Sequence, residues 1–453
     1  MSHDSSDNTT DRSYLSRRHL LAGGVSGAAA LVAGCSGSTN SSGGDPTENP
    51  SGETQTTEPP KTVSTIEHAN IELSGWQASN EEQSMLRSLV KSFEKDHSNI
   101  DVDYSVIQAK YKQKMKTQLG AGNAPDVFYV DAKYAKSWAS KDVLLNIKPY
   151  VQGDDSFSTD NFYEGLLEGF RNNGKLYGIP KGFSPLGMFY NTAHFEKAGV
   201  DVPTTWDEFR SALQAIKDAG IVKYPMIEYN NCRIFKPMVY QNGGRVLNEA
   251  GDECVVASDQ NVETLKFIVG MKKDDLIAAP SQLGAGWHAP ALGKEQVSTA
   301  VLGVWGLPPL ENKFPKVDKD IDIADSLPHP SDGEKKTVAY TVSYSASANT
   351  DHKGASYRLI SSLTSKKGAK RWAKKGLECT ARKDLADIDY YKNHPRRQTM
   401  LKTGKHAKVV QYGTKTPAIL NRLHPELEAA MLGKKSPRKA LETAQQKINN
   451  EVF

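Results

Sequence analysis

From Ile66 onward the apolar positions switch repeatedly between two periods. Ile71 and Leu73 alternate with polar residues ahead of Gly75-Trp76, the pattern of a half-buried strand. Asn80 then opens a helix with Gln83 in capping-box spacing. Met85, Leu86, Leu89, Val90 and Phe93 fall on one face of that helix. Ile100, Val102, Tyr104 and Val106 alternate again as a second strand. Tyr111, Met115 and Leu119 then recur at helical spacing, and Gly120 or Gly122 ends that helix. "PDVFYVD" is a near-continuous apolar run, as expected of a strand covered on both faces. This βαβαβ order predicts an α/β fold with a parallel sheet and helices on both sides. Ligands of such sheets bind beyond the carboxyl ends of the strands. The polar residues Gln77 to Glu81 and Asp131 to Tyr134 therefore become the first candidates for function.

A second set of elements begins after Pro180. "LGMFYN" reads as a strand. "TTWDEFRSALQAIKDAG" reads as a helix with Thr204 or Thr205 as N-cap and Gly220 closing it. "NVETLKFIVGMKKDDL" is another helix and "VSTAVLGVW" another strand. The basic stretch Ser356 to Lys375 is amphipathic and predicts one further helix whose lysines form a solvated face.

The N-terminal region follows a different logic. Leu20 to Ala33 is an apolar run of about 14 residues, shorter than the ~20 a spanning helix needs and in the range of a signal h-region. Ser16-Arg17-Arg18-His19-Leu20-Leu21 before it resembles a twin-arginine export signal; an ordinary positive n-region is the other reading. Val32-Ala33-Gly34-Cys35 resembles a lipobox, in which Cys35 becomes the first mature residue and carries lipid. The division is then 1–34 signal peptide, 35–65 tether and 66–453 body. The tether, "SGSTNSSGGDPTENPSGETQTTEPPKTVST" after the cysteine, has too little apolar surface to fold, and Asn40 heads a glycosylation sequon in it.

A length of 453 residues suits two or three domains, and 38% hydrophobic content is too low for a multi-span permease. A net charge of +4 over so long a chain gives no polyanion-binding signature, so nucleic acid is not an expected partner. Cys35, Cys232, Cys254 and Cys379 lack C-x-x-C spacing; Cys232 and Cys254 would pair in an oxidising compartment or remain two buried thiols. No G-x-S-x-G, H-E-x-x-H, P-loop or G-x-G-x-x-G occurs, and no two histidines stand at i, i+4. No metal or other cofactor is expected. A glycosidase carboxylate pair stays open, since its members need not be near in sequence.

Several stretches together resemble the extracellular solute-binding proteins of ABC importers, in the branch of maltose- and multiple-sugar-binding proteins. They include "GWQASNEEQSMLRSLVKSFEKDHSNIDVDY", "KMKTQLGAGNAPDVFYVDAKYAKSWASKDVLLNIKPYV", "NGKLYGIPKGFSPLGMFYNTAHFEKAGVDVPTTWDEF", "YQNGGRVLNEAGDECVVAS", "GKEQVSTAVLGVWGLPPLENKFP", "SYRLISSLTSKKGAKRWAKKG" and "TARKDL", and they cover nearly everything after Ile66. The resemblance implies a non-enzymatic, two-lobed periplasmic-binding-protein-like fold with a hinge and an interlobe cleft. One lobe would hold about 66–182 and 325–362, the other about 184–321 and 366–453. The chain would cross between them near Lys181 to Ser184, Ile321 to Ser326 and Ser361 to Ser365. It further implies a monomer that captures a sugar or oligosaccharide, works with ABC permease and ATPase subunits, and meets the membrane through lipid on Cys35 alone. Another solute, such as a polyol phosphate or a peptide, and a secreted glycoside-active enzyme are the competing readings.

A pyranose asks for aromatic rings against its C–H faces and planar polar groups at its rim. Carried onto this sequence, the resemblance implies Asn80, Glu81, Asp131, Tyr134, Ser184, Asn231, Arg233, Trp287, Trp305, Tyr344 and Arg382 as ligand contacts. Helix capping is the other role for Asn80, turn stabilisation for Asp131, and core packing for Tyr134, Trp287, Trp305 and Tyr344. A solvated loop would explain Asn231 and Arg233, and a surface ion pair Arg382. Ser184 stands where the maltose-binding branch has an acid, a departure that argues against maltose itself.

Overall fold

The computed structural model describes residues 68–77 and 79–453. The stretches expected to be a signal peptide, 1–34, and a tether, 35–65, with Cys35 and Asn40, lie outside the described residues. The order read from the sequence is present at the start of the body. Strand β1 (Ala69–Trp76) leads to helix α1 (Asn80–Asp96), then β2 (Ile100–Ile107), α2 (Tyr111–Ala121) and β3 (Val127–Asp131), followed at once by α3 (Ala132–Ala139). Helix α1 starts one position away from its expected cap. Ser79 is the N-cap and its side chain accepts the Glu82 N–H, so Asn80 is the first helical residue. Gly122 closes α2 at φ 74°, a left-handed conformation that glycine adopts without a Cβ penalty. The first four residues of β3 are buried, which accounts for its unbroken apolar run.

The later strands are two short ones, β4 (Arg171–Asn172) and β5 (Lys175–Leu176), then β6 (Ile179–Pro185), β7 (Gly187–Asn191), β8 (Met226–Ile227), β9 (Ile277–Ala278), β10 (Thr299–Leu302), β11 (Ile321–Ile323), β12 (Thr337–Ala346) and β13 (Ala407–Val409). They build two main sheets. The first has the order β13-β12-β3-β1-β2, with β6 also paired to β12; the second runs β11-β7-β10-β8-β9. Pairing is parallel among β1, β2 and β3, but β12 is antiparallel to both β3 and β6. In the second sheet β10 is parallel to β8 and antiparallel to β7. The sheets are therefore mixed, where the sequence predicted a parallel one. Long-range returns such as β12 leave no trace in local periodicity.

The chain passes from the first sheet to the second between β6 and β7, and back between β11 and β12. Later, β13 pairs with β12, so the stretch 366–453 also contributes a strand to the first sheet. Thr205, one of the two expected N-caps, caps the helix Trp206–Asp218 and forms a capping box with Glu208. Ser356 to Lys375 is two helices rather than one, Lys353–Thr364 and Lys366–Ala373. Ser365 adopts ψ 164° and caps the second with its hydroxyl on the Gly368 N–H. Cys232, Cys254 and Cys379 are buried free thiols. Among the described residues no helix is long and apolar enough to cross a membrane.

Candidate functional site

Four strands, two from each main sheet, end at one cavity of about 630 Å³. Trp76 ends β1 and Asp131 ends β3; Tyr229 lies two residues beyond β8, and Trp305 three beyond β10. This is the carboxyl-end placement expected of an α/β sheet, realised from both sides of one cavity. Its size lies within the ~300–1,000 Å³ of sites that enclose a small ligand.

On the first-sheet side, Trp76 stands edge-on to Tyr111 and Tyr129, with centroids 5.4 and 5.0 Å away. Asp131 caps α3 by accepting the Lys133 N–H at 3.0 Å, and its other oxygen lies 2.7 Å from Lys133 Nζ. Tyr134 stacks on Trp138, with Lys112 Nζ 4.3 Å from its ring centre. The β6–β12 register shifts between Val342 and Ser343, and the pairing passes over Lys181. Such a bulge re-aims a side chain. Lys181 Nζ reaches Glu82 Oε1 at 3.2 Å and Glu378 Oε2 at 3.0 Å. Burial opposes its charge, yet Glu378 and Glu82 outweigh it and hold the lysine pKa above its ordinary value. Gly182 makes this approach possible, since a Cβ there would stand 2.7 Å from Glu378 Oε2.

On the second-sheet side, buried Glu228 organises the loop that follows β8. It accepts the N–H groups of Tyr229 at 2.6 Å and Ile234 at 3.2 Å; burial raises its pKa and Arg233 opposes the rise. The loop carries Cys232 at φ 52° and brings Asn231 and Arg233 to the cavity. Arg233 donates to the Val301 carbonyl at 2.7 Å and lies over the rings of Tyr229 and Trp305. Ser184 Oγ accepts the Val304 N–H at 2.7 Å. This bond pins the turn Val304–Gly306 and with it Trp305, whose ring stands edge-on to Tyr340 at 5.8 Å. The helix Phe235–Gln241 supplies Lys236, and the helix Thr416–Met431 supplies Pro417, Leu420, Asn421 and His424. The helical spacing of those four positions puts them on one face.

Asp131, Tyr134, Ser184, Asn231, Arg233 and Trp305 are thus brought together. The other five candidates lie elsewhere. Asn80 and Glu81 are exposed; with Ser79 as the cap, the first turn directs Glu82 inward instead. Tyr344 is buried against Tyr129, centroids 5.4 Å apart, so it serves the core while Tyr340 and Val342, nearer the start of the same strand, line the cavity. Trp287 is half-buried ahead of the helix His288–Gly293 and packs against buried hydrophobic residues of the core. Arg382 is buried in a two-bond ion pair with Asp384 and lies over Phe162. The sequence reading missed Trp76, Glu82, Lys181, Tyr229, Lys236, Tyr340, Glu378, Asn421 and His424, while Lys133 lies inside the stretch Asp131 to Tyr134 that it marked. Among the described residues no cluster of three or more His, Cys, Asp or Glu side chains could hold a metal ion.

The family described as bacterial extracellular solute-binding protein matches residues 77–370. The chain belongs to that family. This solute-binding protein is 27% identical to the arabinooligosaccharide-binding protein of Bacillus subtilis over 227 residues, 48% of this chain and 51% of that protein. The match therefore spans about half the length of that relative. It is 22% identical to the multiple sugar-binding protein of Streptococcus mutans over 303 residues, 63% of this chain and 69% of that one. Its fold is shared with an ABC substrate-binding protein from Listeria monocytogenes in complex with cycloalternan. That likeness has a TM-score of 0.76 at 24% identity and covers 85% of this chain and 99% of the other. The maltose-bound MalE3 of T. maritima has a TM-score of 0.74 at 18% identity, over 84% of this chain and 99% of that one. The fold is accordingly the two-lobed α/β architecture of these binding proteins.

Proposed function

We propose that this chain is the extracellular binding component of an ABC importer and captures a sugar or oligosaccharide in the cavity described above. One observation carries the reading. Trp76, Tyr134, Tyr229, Trp305 and Tyr340 surround the cavity, interleaved with Asp131, Asn231, Arg233 and Asn421. Rings answer the C–H faces of a pyranose, and planar polar groups answer its hydroxyls. The similarity to an arabinooligosaccharide-binding protein and a multiple sugar-binding protein supports the same class.

In this reading the lobes, about 66–182 with 325–362 and about 184–321 with 366–453, close around the ligand at the β6–β7 and β11–β12 crossings. Closure is favoured because only the closed form contacts the ligand from both sides, and the permease and ATPase subunits respond to it. The protein is monomeric, binds without catalysis, and leaves its ligand intact; Glu82 and Glu378 are both engaged by Lys181. Export proceeds by the twin-arginine route, and lipid on Cys35 holds the body on the outer face of the cytoplasmic membrane at high effective concentration near its transporter.

A thermal-shift screen against sugars tests the core of this reading, since a ligand of the native state raises the midpoint. A shift with one sugar class, and recovery of that sugar unchanged, is expected. A shift with peptides but no sugar overturns the substrate class, and consumption of a glycoside overturns the non-enzymatic role.

A further inference from the structure

One side of the cavity holds more positive charge than a neutral sugar can use. Lys236 is 3% exposed, and its Nζ lies 3.2 Å from His424 Nε2. Lys133, across the cavity, acts electrostatically on both. Among the described residues no carboxylate lies within ion-pair distance of Lys236 or of Arg233, whose Nε is buried without a partner.

The nearby acids are already engaged. Glu82 and Glu378 bind Lys181. Asp131 binds Lys133 and the α3 N-terminus. Glu228 sits beneath the loop with its oxygens on backbone N–H groups. His424 is held neutral, its pKa pushed down to about 4 by burial and then by Lys236 and Lys133, so it offers no counter-charge.

A buried ammonium without a counter-ion is costly, and proteins normally pair such groups. A cavity that keeps one unpaired has a place for an anion arriving with the ligand. We infer that the ligand is a saccharide bearing an anionic group (carboxylate, phosphate or sulfate), held by Lys236 and His424 from one side and Lys133 from the other. This rests on the sugar-binding reading and narrows it. The rings stack on Trp305 and Tyr340 while the anion replaces the missing counter-charge, in the geometry of a charge-assisted hydrogen bond.

The test is calorimetric titration of the protein with matched ligands: neutral oligosaccharides, their uronate counterparts, sugar phosphates, sulfated sugars and inorganic phosphate. An acidic sugar should bind at least about tenfold more tightly than its neutral counterpart, roughly the ~1.4 kcal/mol of one charge-assisted bond. The uronate, phosphate and sulfate arms identify which anion is recognised. Lys236→Gln should erase most of that preference, read as the ratio of acidic-sugar to neutral-sugar affinity in the variant against the same ratio in the parent. Lys133→Gln, at a partly exposed position, should reduce it too and serves as the second variant should Lys236→Gln not fold. Neutral sugars binding as tightly as acidic ones overturn the inference and leave the sugar reading intact. Inorganic phosphate binding as tightly as every sugar phosphate also overturns it. No sugar binding at all, of either charge, overturns the sugar reading itself.

Discussion

Replacing Lys236 by methionine should make the ligand-free protein more stable. Methionine keeps an unbranched, adaptable stem and removes the buried charge. In the folded protein Lys236 titrates far below an ordinary lysine, down from 10.5 to about 8. Burial is the main cause; Cys232 and Glu228 oppose it, and Lys133 and Arg233 add to it. At ~1.4 kcal/mol per pKa unit, that depression is a destabilisation on the order of 3 kcal/mol. The sign follows from proton counting. Between about 8 and 10.5 the unfolded chain holds a proton on this lysine that the folded chain has lost, so stability rises with pH across that window. The penalty is full below the window and absent above it. Removing the ammonium also deprives His424 of its hydrogen-bond partner, which costs ~1 kcal/mol. The net expectation near neutral pH is a gain of about 2 kcal/mol, the arithmetic of both effects. Urea denaturation of both proteins near neutral pH and again near the top of the window measures it, and the difference between them cancels the other titrating groups. A variant no more stable near neutral pH, or an advantage that fails to shrink at alkaline pH, refutes the reasoning. A confirmed gain would mark Lys236 as a group kept at the expense of stability, as binding sites commonly do.

Three further changes separate site from scaffold. Ser184→Ala leaves the buried Val304 N–H without its acceptor and should cost ~1–3 kcal/mol of stability; it should also weaken ligand binding, because the turn bearing Trp305 loosens. Melting and titration on one sample check both, and loss of neither contradicts the role given to that bond. Lys181→Met strands Glu82 and Glu378 beside each other and should destabilise by ~3–5 kcal/mol, read by denaturant unfolding. Thr205→Ala removes one half of a remote capping box and should cost ~0.5–2 kcal/mol with ligand affinity unchanged.

The fold was legible where local pattern carries it. The alternation in β1 and β2, the apolar run of β3 and the cap at Thr205 each depend on neighbours in sequence. What escaped depends on tertiary approach. Ser365 interrupts a continuous amphipathic pattern with no Gly or Pro to mark the break, because its hydroxyl cap forms only once the chain turns there. Asp131 was readable because it ends a strand, where such folds place ligands, whereas Trp305 and Arg233 came from the family resemblance. Tyr340 and Tyr344 share one strand face, and periodicity cannot say which end of that face is covered by Tyr129 and which opens on the cavity. Lys236 and His424 carry no signal of their own in the sequence, because they matter only once the fold brings Nζ and Nε2 to 3.2 Å. Lys181 reaches the cavity through a bulge that exists only in the pairing of β6 with β12.

The central claim is that this cavity binds a saccharide against Trp305. Calorimetric titration of the mature protein and of Trp305→Ala with the sugar that gives the largest thermal shift tests it most directly. Saturable one-to-one binding is expected, weakened by ~1–3 kcal/mol in the variant, the range of aromatic stacking contacts. Equal affinity in a folded Trp305→Ala protein, or no saturable binding of any sugar by the parent, would contradict the account.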